Sequence, residues 1–316
     1  MTVEALQIPV YRPFAARVWR LQRLSPSFLR VTFTGSDLDQ CAPNGFDQRI
    51  KVLLPVPGHG LADCPTGGDW YGEWRALPDE RRQPMRTYTV RHWRPGPGGT
   101  GTAELDVDFV LHGSTGPASA WAERAAVGDE VALVAPNAHF PGPTGGFEWR
   151  PPAGASCLLL AGDETAVPAI CAIAESLSPG QRARILLEVP TAADVLPLTV
   201  ADGVEVTWLP RWPADAAVPA PHGQLLTAAV VAAVRDLPAA RIPAPVTPLD
   251  DSDIDVDTGI LWEVPEDGVG SSGRYAWLAG EAGMVKGLRR HLVQEAGYDR
   301  MSVAFMGYWR RGRVSD

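Results

Sequence analysis

Cysteine is scarce in this 316-residue chain and badly spaced for metal chemistry. Cys41, Cys64, Cys157 and Cys171 form no CxxC or CxxH pair, which argues against zinc or iron–sulfur sites and for reduced thiols. Long apolar runs are missing, so no membrane span is expected. The first residues lack a basic segment followed by an apolar one; no secretory signal is expected, and the expected location is the cytoplasm. The chain also has no GxGxxG, no P-loop, no HExxH, no nucleophile elbow and no paired glycosidase-like carboxylates. Those absences set aside the classical dinucleotide fingerprint, phosphoryl transfer and hydrolysis by a protein nucleophile.

What is present is an ordinary globular composition, 45% hydrophobic and 21% charged, in a chain long enough for two cores. The net charge of −9 is unevenly spread. Residues 242–273 carry eight carboxylates and no Lys or Arg, so this stretch alone supplies all but one unit of the net charge. That stretch is Pro-rich and acidic and reads as a surface loop, with "GILWEV" inside it able to form a short edge strand. Residues 286–316 are locally +4. Nucleic acid suits an acidic chain poorly, but an anionic small molecule would be drawn to that end.

Two patterns divide the chain. Up to about residue 134, "ARVWRLQRL", "FLRVTFTG", "QRIKVLLPV", "RTYTVRHW", "AELDVDFVLHG" and "DEVALVAP" are short alternating runs separated by turn residues. With one helical insert, "GPASAWAERA", they predict a six-stranded antiparallel β-barrel over residues 1–145. "NAHFPGPTGGFEWRPPAGA" reads as a linker. From "SCLLLAG" onward, continuous apolar runs alternate with helical periodicity, which predicts a doubly wound parallel α/β domain over residues 146–316. Its ligand crevice belongs at the carboxyl ends of the strands.

Four stretches could carry chemistry. In "MRTYTVRHW", period two puts Arg86, Tyr88 and Val90 on one face and Thr87, Thr89 and Arg91 on the other. A phenol, hydroxyls and arginines suit a flat, phosphorylated ring system, although cross-strand pairing with solvated arginines explains the same residues. In "DVDFVLHGSTGPASAWA", His112 precedes a Gly-rich turn and a helix opening at Pro117, a place suited to an anion; a lone His is more often structural. In "LLLAGDETAVPAICA", Gly162 permits a tight turn, while Asp163 and Glu164 would repel phosphate and so should meet a neutral nicotinamide or ribose; an ordinary strand-to-helix turn with an acidic cap reads the same. In "YAWLAGEAGMVKGLRRHL", Gly280 and Gly283 would let a ligand approach the backbone, ahead of Lys286, Arg289 and Arg290, and for those two arginines a solvated helix face is the better reading. Two nucleotide-suited sites point to electron transfer between two cofactors.

The order "RTYTVR", "FVLHG", "GPASAWA", "LLAGDETAVPAI", "WLPR", "LWEVP", "AWLAGEAGMVKGLRRHL", "GYWRRG" resembles the siderophore-interacting protein family, ViuB-like ferric-siderophore reductases within the ferredoxin–NADP reductase superfamily. The resemblance implies an FAD-binding barrel and an NAD(P)H-binding α/β domain. It implies that Arg86, Thr87, Tyr88, Thr89 and Arg91 form the flavin strand, with Tyr88 on the ring, Thr89 at its edge and arginines on phosphate. Asp108, Val110, His112, Ala118 and Ser119 match the segment around ribityl and pyrophosphate, and Thr165 the flavin–nicotinamide junction. Gly162, Asp163, Glu164, Gly280, Glu281 and Met284 match the nicotinamide-nucleotide side. Arg211 could pair with a 2′-phosphate and Glu188 could hold a ribose diol, so NADPH is the expected donor and NADH the alternative. Lys286, Arg310 and Arg311 are the candidates for meeting an anionic ferric chelate. No catalytic protein residue is implied, because the chemistry is flavin-centred. A monomer acting without nucleic acid or membrane is expected. The alternatives are an NAD(P)H-dependent reductase of free flavin, ferredoxin or another acceptor, and a non-enzymatic siderophore-binding protein.

Overall fold

The computed structural model describes residues 8–96, 102–112, 116–213, 217–235, 262–263 (backbone) and 273–312. The chain forms two compact units, one ending at Phe147 and the other beginning at Glu148. Most of the acidic stretch at 242–273 lies outside the described residues. Among those residues, no helix is long and apolar enough to cross a membrane.

The first unit is an antiparallel curled sheet. Its elements are β1 (Tyr11–Arg23), β2 (Phe28–Thr34), β3 (Arg49–Leu53), helix α1 (Trp70–Ala76), β4 (Met85–Thr89), β5 (His92–Arg94), β6 (Glu104–Val110), helix α2 (Pro117–Ala122) and β7 (Glu130–Pro136). The strand order is β4-β3-β7-β1-β2-β6-β5. Alternation turns one face of each strand inward, and Phe14, Phe33, Leu105, Phe109 and Leu133 are fully buried there. Each fully buried Phe contributes roughly 1.5–3 kcal/mol relative to an exposed one.

Among the described residues this sheet has seven strands where the sequence pattern predicts six, because "RTYTVRHW" is two strands at opposite ends of the sheet order. The handover occurs between neighbouring residues: the Val90 N–H bonds Gln48 O, beside β3, while the Arg91 N–H bonds Asp106 O on β6, both at 2.8 Å. Period two therefore stops at β4, with Thr87 exposed and Thr89 buried. Helix α1 is a second feature without a sequence prediction. Asp69 caps it by accepting from the Gly72 N–H, and Trp70 and Trp74 lie against Leu53, Ala132 and Val134. The first half of the expected linker is bound to the curled sheet, through Arg49 N–H to Gly146 O at 2.7 Å and Asn44 Nδ2 to Gly145 O at 2.8 Å.

The second unit is built from β8 (Cys157–Gly162), α3 (Val167–Ser176), β9 (Ala183–Thr191), β10 (Val204–Trp212), α4 (Gln224–Arg235), β11 (Trp262–Glu263), β12 (Arg274–Glu281), α5 (Ala282–Arg290) and β13 (Val303–Trp309). The order β10-β9-β8-β12-β13-β11 is parallel except for β11, which pairs antiparallel with β13 at the edge, the short edge strand expected within "GILWEV". Tyr275, Ala276, Trp277, Leu278 and Ala279 are all fully buried, as a strand covered on both faces requires.

Candidate functional site

In the first unit, β4 brings together the residues of the opening motif. Tyr88 is half-buried with its ring 4.3 Å from that of Phe109 at 41°, and burial holds its hydroxyl protonated, above its ordinary range. Arg86 is half-buried and donates to Met85 O at 2.9 Å. Thr87 accepts from Lys51 Nζ at 2.6 Å across the β3–β4 ladder. Beyond the handover, Arg91 is buried, with Nη1 2.9 Å from His92 Nε2 and Nε 3.8 Å from Asp108.

Asp108 is buried on β6 and gripped bidentately by Arg30 at 2.7 and 2.8 Å. Its carboxylate is thus a structural anchor that orients Arg91, not a free acceptor for a ribose. Val110 is half-buried at the end of β6 and His112 is exposed just beyond it. Ala118 and Ser119 are buried on α2, whose entry is set by Gly116 in extended backbone and Pro117 in the first turn. Among the described residues, the Ser119 Oγ is buried without a hydrogen-bond partner, and the space on the Cβ side of Gly116 is open. A buried hydroxyl is seldom left unpaired. It fits a ligand with oxygen acceptors on this helix, as an FAD phosphate or ribityl chain has.

In the second unit, the strand ends converge on one ionic cluster. Asp163, fully buried after β8, accepts from Thr165 N (2.9 Å), Thr165 Oγ1 (2.5 Å), Glu281 N (2.8 Å) and Trp309 Nε1 (2.9 Å). Glu164 holds Arg211 bidentately at 2.7 and 2.9 Å. Glu188, fully buried in the second half of β9, accepts from the backbone N–H of Gly223 (2.6 Å) and Leu226 (2.9 Å) and from Arg211 (3.3 Å). Nε2 of His222 stands 3.4 Å from Asp163 and 3.7 Å from Glu164, and its ring meets Trp309 edge-on at 5.1 Å. Burial works against the imidazolium, but the two carboxylates outweigh it and lift the His222 pKa to about 9. Burial likewise opposes the Glu164 carboxylate, yet His222 and Arg211 pull its pKa down to about 2.

Beside this cluster lies a cleft of about 560 Å³ lined by His222, Gly223, Gln224, Thr227, Ala228, Glu281, Met284 and Arg311. Glu281 caps α5 by accepting from Met284 N at 2.8 Å and also accepts from Arg311 N at 3.3 Å. Of the chelate candidates, Arg311 is exposed at the cleft, whereas Lys286 and Arg310 are half-buried outside its lining.

Several expectations change here. Arg211 is consumed by Glu164 and Glu188, so it does not stand open to a 2′-phosphate. Glu188 caps the start of α4 and is closed to a ribose diol. Asp163 and Glu164 are tied inward and do not line the cleft. The Thr165 hydroxyl is spent on Asp163. Gly162 is glycine because a Cβ would sit 2.5 Å from that of Ala166 and 2.8 Å from Ala279 O, a matter of packing α3 and β12. Arg289 is buried with its guanidinium 4.4 Å from the Phe305 ring centre, and so is no part of a solvated face. Lys51, Arg30, His222 and Trp309 were not picked out from the sequence; "PHG" before a helical run is the one signal that could have found His222.

Residues 17–140 match the siderophore-interacting FAD-binding domain, and residues 155–312 match the siderophore-interacting protein family. Ferric vibriobactin reductase ViuB of Vibrio cholerae is 28% identical, covering 93% of this chain and 88% of its own. The NADPH-dependent ferric-chelate reductase of Escherichia coli is 26% identical, covering 92% and 91%. The crystal structure of the siderophore-interacting protein SipS from Aeromonas hydrophila superposes with a TM-score of 0.64 at 30% identity, covering 97% of this chain and 94% of the other.

Proposed function

This chain belongs to the siderophore-interacting protein family, and on that premise we propose that it is a cytoplasmic ferric-siderophore reductase drawing electrons from NAD(P)H through bound FAD. The observation that carries the proposal is an FAD-type cradle in one unit, whose buried Ser119 hydroxyl has no partner among the described residues, together with a strand-end cleft in the other. The similarity to proteins named as ferric vibriobactin reductase and ferric-chelate reductase supports the acceptor. The cytoplasm is assigned because a nicotinamide donor is available there.

Flavin, when bound, accepts a pair of electrons from a nicotinamide and releases them singly to an iron chelate. Everything else asked of this chain is binding and orientation. Tyr88, fixed against Phe109, offers its ring to the flavin; Thr89 addresses the ring edge. Arg86 and Arg91 are the cations for the FAD phosphates, and Arg91 is held in place by Asp108 and His92. Ser119, with Ala118 beside it, meets the phosphate or ribityl oxygens. The nicotinamide nucleotide takes the cleft at Glu281 and Met284. Lys286 and Arg310, outside the lining of that cleft, supply positive charge for an anionic ferric chelate, while Arg311 belongs to the nucleotide cleft.

The reading is tested by supplying purified, flavin-loaded protein with NADPH or NADH and a panel of ferric siderophores, while trapping Fe(II) with a chromophoric chelator. Fe(II) formation that needs protein and nucleotide together supports it. Reduction of free flavin or ferredoxin with no Fe(II) from any chelate would replace it with a reductase of another acceptor.

A further inference from the structure

We propose that His222 is the electrostatic anchor for the dinucleotide in the second unit, and that Arg211 takes no part in recognising it. The inference rests on the reading of the strand-end cleft as the nicotinamide-nucleotide site. It deepens that reading by naming the residue that meets the anion and by removing the one expected to do so.

Geometry separates the two cations. Arg211 lies inside the cluster, its side chain 13% exposed and its guanidinium paired with Glu164 on one edge and Glu188 behind. Moving it toward a ligand would leave two buried carboxylates without their cation, a large cost. His222 lies between the cluster and the cleft: it lines the cleft, whereas Asp163, Glu164, Glu188 and Arg211 do not. Nε2 faces Asp163 and Glu164, while Trp309 packs edge-on against the ring.

Among the described residues, the charged groups around the imidazole each have an assigned partner. Asp163 is saturated by three N–H donors and the Thr165 hydroxyl. Glu164 is matched by Arg211, and Glu188 by Arg211 and the start of α4. Across the cleft, Glu281 spends its carboxylate on the backbone N–H groups of Met284 and Arg311. The carboxylates behind the ring keep it protonated at neutral pH, and its charge is delocalised over a ring that forms part of the cleft wall. Among the described residues, His222 and the exposed Arg311 are therefore the cationic side chains lining this cleft. A diphosphate shared by NADH and NADPH fits that pair, whereas nothing in the lining is committed to a 2′-phosphate.

The test uses the flavin-loaded full chain and the oxidised nucleotides NAD⁺ and NADP⁺, so that binding is read by calorimetry without turnover. His222→Gln should weaken both nucleotides roughly ten-fold and by the same factor, while His222→Lys, which keeps the charge, stays close to wild type. Wild-type affinity should fall as pH rises through about 9, and the Gln variant should show no such fall. Arg211→Gln should leave the NAD⁺ to NADP⁺ ratio unchanged. Wild-type affinity in His222→Gln, or a flat wild-type pH profile, overturns the proposal. A wild-type protein that binds neither nucleotide removes the donor reading itself, and the proposal with it.

Discussion

The carboxylate of Asp163 occupies the space that a side chain on Gly280 would need: a Cβ there would lie 2.6 Å from Oδ2. Residue 280 has φ +140, where L residues are strained, and its successor donates the Glu281 N–H to that same oxygen. The sequence pattern assigns this glycine to ligand approach; the structure gives it to the ionic cluster. Gly280→Ala should therefore destabilise the protein by on the order of 1–3 kcal/mol from backbone strain alone. Chemical denaturation of the variant checks this, and an unchanged midpoint would remove the close contact from the account.

Glu188 gives a second mutational test. It is the acceptor for two backbone N–H groups at the start of α4 and for Arg211, and it is fully buried. Glu188→Ala should cost about 3–5 kcal/mol, the usual penalty for breaking a buried charge network. The ratio of NADH to NADPH affinity should stay as in the wild type. A variant of normal stability with altered nucleotide preference would restore Glu188 as a ribose ligand.

Much of the fold can be read along the chain, because alternating and continuous apolar runs have different physical causes and stay distinct to either side of the 137–155 stretch. Helix α1 escapes because its seven residues are too few to show a period, and its Trp70 and Trp74 mimic strand composition. The split at Val90 and Arg91 escapes because no Gly or Pro marks it; the partner strand changes while the side-chain pattern continues. At the site, β4 is legible because its chemistry is local. Arg211 is misread because its partners lie 47 and 23 residues away, and a cation's availability depends on what folding brings to it. His222 is missed for the same reason.

The pH dependence of stability follows from two shifts of opposite sign. His222 is raised from 6.5 to about 9, so its contribution is complete below about pH 6.5 and is lost as pH climbs through 9. Glu164 is lowered from 4.5 to about 2, so its contribution is present above about pH 4.5 and is lost as pH falls through 2. Thermal melts should show highest stability between these limits. In His222→Gln the decline near pH 9 should shrink; an identical alkaline limb would place the titrating group elsewhere.

Flavin retention separates two roles on β4. Arg86→Ala should yield protein depleted of FAD, because its guanidinium is assigned to an FAD phosphate. Tyr88→Ala should lose flavin and also stability, because the ring packs on Phe109. The double variant retaining full flavin occupancy would withdraw this strand from the cofactor site.

The central claim, electron flow from a nicotinamide nucleotide to siderophore-bound iron, is tested most directly by anaerobic rapid mixing of the flavin-loaded protein. The account predicts that NADPH or NADH bleaches the yellow flavin absorbance, and that a ferric siderophore added next restores it with release of Fe(II). Absorbance that neither nucleotide bleaches, or bleached protein that no ferric chelate reoxidises, would contradict it.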